Sequence, residues 1–337
     1  MIDEHNIQDT RIRQLNDLNI RSDTDYVLYW MQQSQRAEVN HALEYAVLQA
    51  NHLDLGVVVV FGLTDDYPDA NLRHYMFMLE GLTEVKAALE KRGIHMVVRR
   101  GSPPDVALEL GQDAAMIVCD RGYLKHQRKW RDRVARNASC RVVQVESDVI
   151  VPVETVSPKA EYAARTIRPK IQKHLDDYLI EIKPVKVQHP NVNHSFDGLE
   201  WKRPADILSL LNIDGTVPDV TRFFKGGTSR AKKIFGNFIR ARLKNYEKNH
   251  NQPQTDDPYW NGAMQAMKYT GFMHNYMRMY WGKKILEWSS SPERAFRNTL
   301  AMNNKYFLDG WEPNSYAGVG MNFRYALSCL APTVHLK

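Results

Sequence analysis

Two periodicities alternate along the first 150 or so residues. Apolar, β-branched runs at 26–30, 56–63, 94–98, 115–119 and 141–145 predict strands, and amphipathic patterns over 36–52, 70–92, 104–110 and 124–135 predict helices between them. Each helix is long enough to cross back over a sheet. The pattern therefore implies βαβ units and an α/β fold: a doubly wound parallel sheet with helices on both faces, as the right-handed crossover rule requires. After Val153 the strand signals stop. The polar stretch 183–198 carries two prolines and reads as a connector. Helical patterns follow at 204–211, 229–248, 259–288 and 292–307, with Ser291 as a cap and Pro292 at the first helical position of the last. The expected organisation is an α/β domain over 1–153, a connector over 154–200 and an all-helical domain over 201–337, without internal repeats.

Composition narrows the class. Of 337 residues, 43% are hydrophobic, enough for two cores of ordinary domain size and too many for disorder. No apolar run approaches the ~20 residues that cross a bilayer, and the polar, acidic first nine residues do not resemble a secretion signal, so a cytoplasmic protein with no membrane partner is expected. The three cysteines lack metal-ligand spacing and predict core or half-buried thiols, with no disulfide framework and no metal. The net charge of +6 permits a polyanionic partner, and the stretch 222–248 holds nine basic residues against one acid, Glu247. Read alone, that run is equally a solvated helix face or a phosphate-contacting face. No G-x-G-x-x-G follows the first strand; Met31-Gln-Gln-Ser34 stands there, which disfavours an ordinary dinucleotide-phosphate site in the first turn. Arg36, Glu38 and Asp120-Arg-Gly-Tyr123 sit where open α/β sheets bind ligands, and cap or turn chemistry accounts for them equally well.

Several motifs in order carry a resemblance. They include Tyr26-Val-Leu-Tyr-Trp-Met-Gln-Gln-Ser-Gln-Arg-Ala-Glu38, Asn71-Leu-Arg-His-Tyr-Met-Phe-Met-Leu-Glu-Gly-Leu82 and Glu161-Tyr-Ala-Ala-Arg-Thr-Ile-Arg-Pro-Lys170 in the first half. The helical half adds Asp257-Pro-Tyr-Trp-Asn261, Tyr276-Met-Arg-Met-Tyr-Trp-Gly-Lys-Lys-Ile-Leu-Glu-Trp288 and Asn303-Asn-Lys-Tyr-Phe-Leu-Asp-Gly310. On these the chain resembles the class II cyclobutane-pyrimidine-dimer DNA photolyases of the photolyase/cryptochrome family. The resemblance implies a Rossmann-like antenna domain followed by a helical FAD-binding domain. It also implies a monomeric, DNA-binding flavoprotein lyase that repairs flipped-out dimers by light-driven electron transfer from reduced FAD. A deazaflavin-type antenna pigment on the α/β domain is a further implication.

The same resemblance assigns residues. Trp260, Trp281 and Trp288 match the family's tryptophan relay; Trp281 and Trp288 are seven apart, about 10.5 Å of rise on one helix face. Without the matching motifs, two tryptophans at that spacing are core packing. Arg278 and Asp309 match an ion pair against the flavin ring, and Asn303 matches an asparagine facing flavin N5. An amide can serve that atom in either protonation state by turning its oxygen or its nitrogen toward the ring. Tyr246 matches a tyrosine near the FAD adenosine or phosphates, on a shorter motif.

The chain also departs from the family pattern. Between the segments 249–253 and 255–258 the family carries a long helical stretch with donors for the FAD phosphates and a glutamate that contacts the dimer, and no counterpart is present. After Gly320 the chain diverges from a lesion-entering segment, the usual C-terminal tail is lacking, and Trp311 and Glu312 stand where the family has Arg and Asp. The expectation is an incomplete helical domain, weak FAD binding and weak, scarcely lesion-selective DNA binding: an impaired remnant serving at most as a pigment- or DNA-binding module, or a helical half repacked for another use. A nucleotide-binding protein of the electron-transfer-flavoprotein or universal-stress type would explain the sheet but none of the tryptophan motifs.

Overall fold

The computed structural model describes residues 7–161, 164–190, 192, 194–241, 243 and 259–330, with only the backbone described at 164, 259–262, 287–288 and 322–330. The chain divides into two compact units, one formed by Met1–Asp65 with Leu82–Lys202 and one by Asp66–Gly81 with Arg203–Lys337. The division falls inside a single helix, and 66–81, read from sequence as part of the first domain, clusters with the helical residues.

The first unit is a six-stranded sheet: β1 (Ile12–Gln14), β2 (Tyr26–Trp30), β3 (Gly56–Leu63), β4 (His95–Arg100), β5 (Ala114–Asp120) and β6 (Arg141–Val145), in the order β1-β6-β5-β2-β3-β4. The five strands from β2 onward are parallel, with Leu28 paired to Val58 on one side and to Ile117 on the other. Every residue of β2, β3 and β5 is buried, as expected of strands covered on both faces. The sheet is mixed, because β1 pairs antiparallel with β6. Three residues, only one of them partly buried and two exposed, carry no readable period. What holds β1 at the edge is tertiary: the buried Arg11 donates to the carbonyls of Glu146, Val149 and Ile150 beyond β6.

The crossovers are α1 (His41–His52), α2 (Leu72–Lys91), α3 (Pro103–Leu110) and α4 (Lys125–Asn137). Helix α1 starts five residues later than its periodicity suggests, because Asn40 caps it by accepting from Leu43 N at 3.2 Å while residues 33–39 form a turn. Short helices α5 (Val153–Val156), α6 (Ala164–Gln172) and α7 (Leu175–Tyr178) follow. The polar stretch beyond them is fastened to the sheet unit: buried Glu44 accepts from Val185 N at 2.7 Å and from Arg92, and Leu199 N donates to Val98 O at 2.7 Å.

The second unit holds α8 (Pro204–Leu208), α9 (Thr228–Ala241), α10 (Tyr259–Thr270), α11 (Asn275–Trp288), α12 (Pro292–Tyr306) and α13 (Pro313–Leu330). The continuous helix expected over 259–288 is two helices. The break lies at Gly271, whose φ of +72° favours glycine, and Thr270 Oγ1 accepts from Phe272 N at 3.2 Å. Consequently Trp260 stands on α10, while Trp281 and Trp288 share α11. Ser291 caps α12, accepting from Arg294 N at 3.2 Å, with Pro292 following. A core of Met267, Met273, Trp281, Ile285, Leu286, Ala295, Phe307 and Val319 joins α10 to α13. Helix α9 buries none of its side chains, and Ile234, Phe235 and Ile239 face solvent. No helix among the described residues is long and apolar enough to cross a membrane.

Candidate functional site

In the second unit, three helices present one face each to a common cavity of about 260 Å³. Helix α11 contributes Asn275, Arg278 and Trp281 at successive three-residue steps, α12 contributes Thr299 and Asn303 one turn apart, and α13 contributes Asn314, Ser315, Gly318 and Val319. Phe307, Asp309 and Glu312, between α12 and α13, complete the lining.

Four of the residues singled out from sequence meet here. Arg278 Nη1 lies 3.1 and 2.9 Å from the two Asp309 oxygens, its Nε donates to Met273 O at 3.1 Å, and its guanidinium carbon sits 3.9 Å from the centre of the Phe307 ring. The cation is held by a carboxylate on one side and an aromatic face on another, so it keeps a fixed position at the cavity wall. Trp281 is 2% exposed, and its indole N–H donates to Met264 Sδ at 2.7 Å. Asn303, 6% exposed, donates to Asn304 Oδ1 at 3.3 Å; Asn304 also receives Trp311 N at 3.2 Å, which steadies the left-handed turn at Trp311. The side chains of Trp260 and Trp288 lie outside those described, and Tyr246 lies outside the described residues altogether.

Of the remaining lining, Glu312 was noted in sequence only as a departure from the family pattern, and the others were given no role. Thr299 had a usable signal: it precedes Asn303 by four residues and so shares its helix face. Gly318 had none, although a Cβ built there would meet nothing within 4 Å, so the glycine leaves open space. A polar lining of amides and hydroxyls beside two aromatic rings, with one anchored cation and an unpartnered hydroxyl at Thr299, fits a flat heteroaromatic ring with a polar edge.

At the carboxyl ends of the strands in the first unit, the outcome differs. The order of the sheet reverses between β2 and β5, the place where open sheets bind ligands. There Asp120, fully buried, accepts the backbone N–H groups of Gln32, Gln33 and Ser34 and the Tyr29 hydroxyl at 3.2 Å. Burial pushes its carboxyl up to about 6 against the pull of those donors. The protein's own carboxylate thus takes the N–H groups that a phosphate in the first turn would need. Arg36 pairs with Asp148, Glu38 is exposed, Arg121 bridges Glu146 and Glu154, and the Tyr123 hydroxyl donates to Glu146. Next to Asp120, Gln32 is 8% exposed and neither polar atom of its side-chain amide has a partner among the described residues. No cluster of three His, Cys, Asp or Glu suited to a metal occurs among the described residues.

Of the basic residues in 222–248, Arg222, Lys225, Arg230, Lys232, Lys233 and Arg240 are exposed; Arg242, Lys244 and Lys248 lie outside the described residues.

Comparison with known proteins places this architecture. A family model described as DNA photolyase matches residues 27–191. A deoxyribodipyrimidine photo-lyase of Methanothermobacter thermautotrophicus is 36% identical, with 93% of this chain and 89% of the relative covered. Another, from Arabidopsis thaliana, is 28% identical, with 87% and 80% covered. These alignments run to 404 and 401 positions, more than the 337 residues of the chain, so the relatives carry residues with no counterpart here. Among solved structures, a class III photolyase from Agrobacterium tumefaciens shares the fold with a TM-score of 0.65 at 13% identity, covering 90% of this chain and 80% of that one. An archaeal photolyase from Sulfolobus tokodaii, solved with two FAD molecules, has a TM-score of 0.62 at 13% identity, covering 93% and 85%. With a relative above one-third identity over nearly the whole chain, the chain belongs to the DNA photolyase family.

Proposed function

We propose that the chain is a light-driven photolyase of the class II kind, binding FAD noncovalently in the second unit and acting on cyclobutane pyrimidine dimers in DNA. The observation that supports this most is that Arg278, Trp281, Asn303 and Asp309, the first and last separated by 31 positions in sequence, line one cavity. Bound and reduced, the flavin supplies the electron that splits the dimer on illumination.

The chain's own groups have separable tasks. Asn303 presents an amide that donates or accepts by turning, so it can hold a ring nitrogen in either protonation state. Arg278, fixed by Asp309 and Phe307, places positive charge at the wall and favours an occupant that gains negative charge. Trp281 is a buried, oxidisable side chain on the cavity wall, and Trp288 and Trp260 would continue a relay along α11 and on α10. The exposed basic residues around α9 would neutralise DNA phosphates. The Sulfolobus tokodaii photolyase, with two FAD molecules, implies a novel light-harvesting cofactor in that protein. A pigment in this chain, whether a deazaflavin or another, would use the strand ends of the first unit, where the Gln32 amide, like the Trp30 indole N–H, is buried without a partner among the described residues.

Three observations favour a second reading, in which the cofactor grip is impaired. Arg278 is the single cation in the cavity lining among the described residues and is already paired with Asp309, so that lining offers no unpaired cation for a cofactor phosphate. The relatives carry residues that this chain lacks. Helix α9 exposes Ile234, Phe235 and Ile239, an apolar face of the kind that further helices would cover. Flavin absorbance per mole of purified protein, followed by FAD titration, illumination and a dimer-repair assay with Trp281→Phe as control, tests both readings. Substoichiometric flavin with photoreduction on addition of FAD agrees with ring binding and a weakened phosphate grip. Tight equimolar flavin with repair would refute the impairment, and no flavin uptake at any concentration would refute the ring site.

A further inference from the structure

Thr299 brings to the cavity a buried hydroxyl with no hydrogen-bond partner among the described residues. It lies on α12, is 3% exposed, and lines the cavity one helical turn before Asn303. Among the described residues nothing within reach hydrogen-bonds its Oγ1. A threonine inside a helix ordinarily returns its hydroxyl to the carbonyl one turn back, and a buried hydroxyl left unpaired is costly. Space remains in the same lining, because Gly318 offers no side chain and a Cβ there would meet nothing within 4 Å. A buried, unpaired hydroxyl on the wall of an open cavity has a physical reason if an occupant supplies its partner.

We propose that Thr299 Oγ1 hydrogen-bonds a heteroatom on the edge of the ring that occupies this cavity. The assignment rests on the flavin reading above and extends it to a residue outside the tryptophan relay and the ion pair. A hydroxyl both donates and accepts, so it can meet a ring carbonyl or a ring N–H. Standing one turn from Asn303, about 6 Å along the helix, it would read a second position on the edge and would not compete for the first.

The consequence has opposite signs in the ligand-free and ligand-bound protein. Thr299→Val keeps the branched shape and removes the hydroxyl. Without ligand, the full chain should melt about 2–4 °C higher, because an unpaired buried polar group is gone. Affinity for riboflavin and for FAD should fall roughly 2- to 12-fold, the range of one hydrogen bond. Thr299→Ser retains the hydroxyl and should keep affinity close to the parent chain.

The experiment is thermal unfolding of the three chains without ligand, paired with calorimetric titration by riboflavin and by FAD. Riboflavin has the ring but no phosphates, so its affinity reports the ring site alone. A Thr299→Val chain that melts lower than the parent would show that the hydroxyl already has a protein partner and would overturn the proposal. Equal riboflavin affinity in parent and valine variant would overturn the assignment and leave the flavin reading standing. A parent chain that takes up neither compound would overturn the flavin reading, and the Thr299 assignment with it.

Discussion

Arg73 offers the sharpest test of how the helical unit is held together. Its side chain is completely buried, and its guanidinium donates to four backbone carbonyls: Pro218 at 3.2 Å, Met267 at 3.2 Å, Lys268, and Tyr306. Met267 and Lys268 lie in the last turn of α10 and Tyr306 ends α12, so one cation serves the carbonyl ends of two helices, where the helix dipole is negative. Replacing Arg73 with Met keeps the apolar stem and removes every donor. Hydrogen bonds to a charged group are each worth about 1.5–3 kcal/mol net, but neighbouring ones do not add. Removing the cation leaves buried carbonyls without donors, at about 1–3 kcal/mol for each group left unsatisfied, so we expect a loss of about 3 kcal/mol or more, a large part of a total stability of about 5–15 kcal/mol. Arg73→Lys should lose somewhat less, because an ammonium keeps the charge and up to three donors, although it cannot span all four carbonyls. Urea unfolding gives the magnitude, and hydrogen exchange gives the location: protection should fall in α10 and α12 and hold in β2, β3 and β5. A loss below about 1 kcal/mol for Arg73→Met, or equal deprotection of the sheet, would refute the reasoning.

Three further outcomes follow from other parts of the molecule. Burial, with Arg11 and Arg36 nearby, pulls the His41 imidazole down to about 3, well below its unfolded value of 6.5, so the first unit should lose stability as pH falls from about 6.5 toward 3; an NMR titration of His41 with a midpoint near 6.5 would contradict this. A Cβ at Gly226 would lie 2.0 Å from Phe77 O, so Gly226→Ala must displace backbone and should cost about 1–3 kcal/mol in thermal unfolding, whereas Gly215→Ala, with nothing within 4 Å, should be near neutral. DNA affinity should fall with log salt at a slope near −0.9 for each phosphate contacted and should scarcely distinguish dimer-containing from undamaged duplex; a thousandfold preference for the lesion would show that lesion-reading contacts survive.

The elements were legible because each is written in a local period. The all-buried runs of β2, β3 and β5 and the stripe of α12 follow from burial on both faces and on one face respectively, and Ser291-Pro292 marks a helix start by chemistry that needs no neighbour. Arg278, Trp281, Asn303 and Asp309 could be singled out because matching motifs, and not periodicity, carry them. What the sequence by itself could not determine is what depends on partners distant along the chain. Strand β1 is too short to show a period and exists through pairing with β6 and through Arg11. The break between α10 and α11 needs both the positive φ of Gly271 and a buried arginine from another segment to satisfy α10's last carbonyls. The carboxylate that closes the first-turn N–H groups comes from Asp120, 86 residues beyond Ser34. Asn303 and Asp309 acquire a common cavity with Trp281 only when α11, α12 and α13 pack, because a helical period assigns each residue a face while packing decides which faces meet.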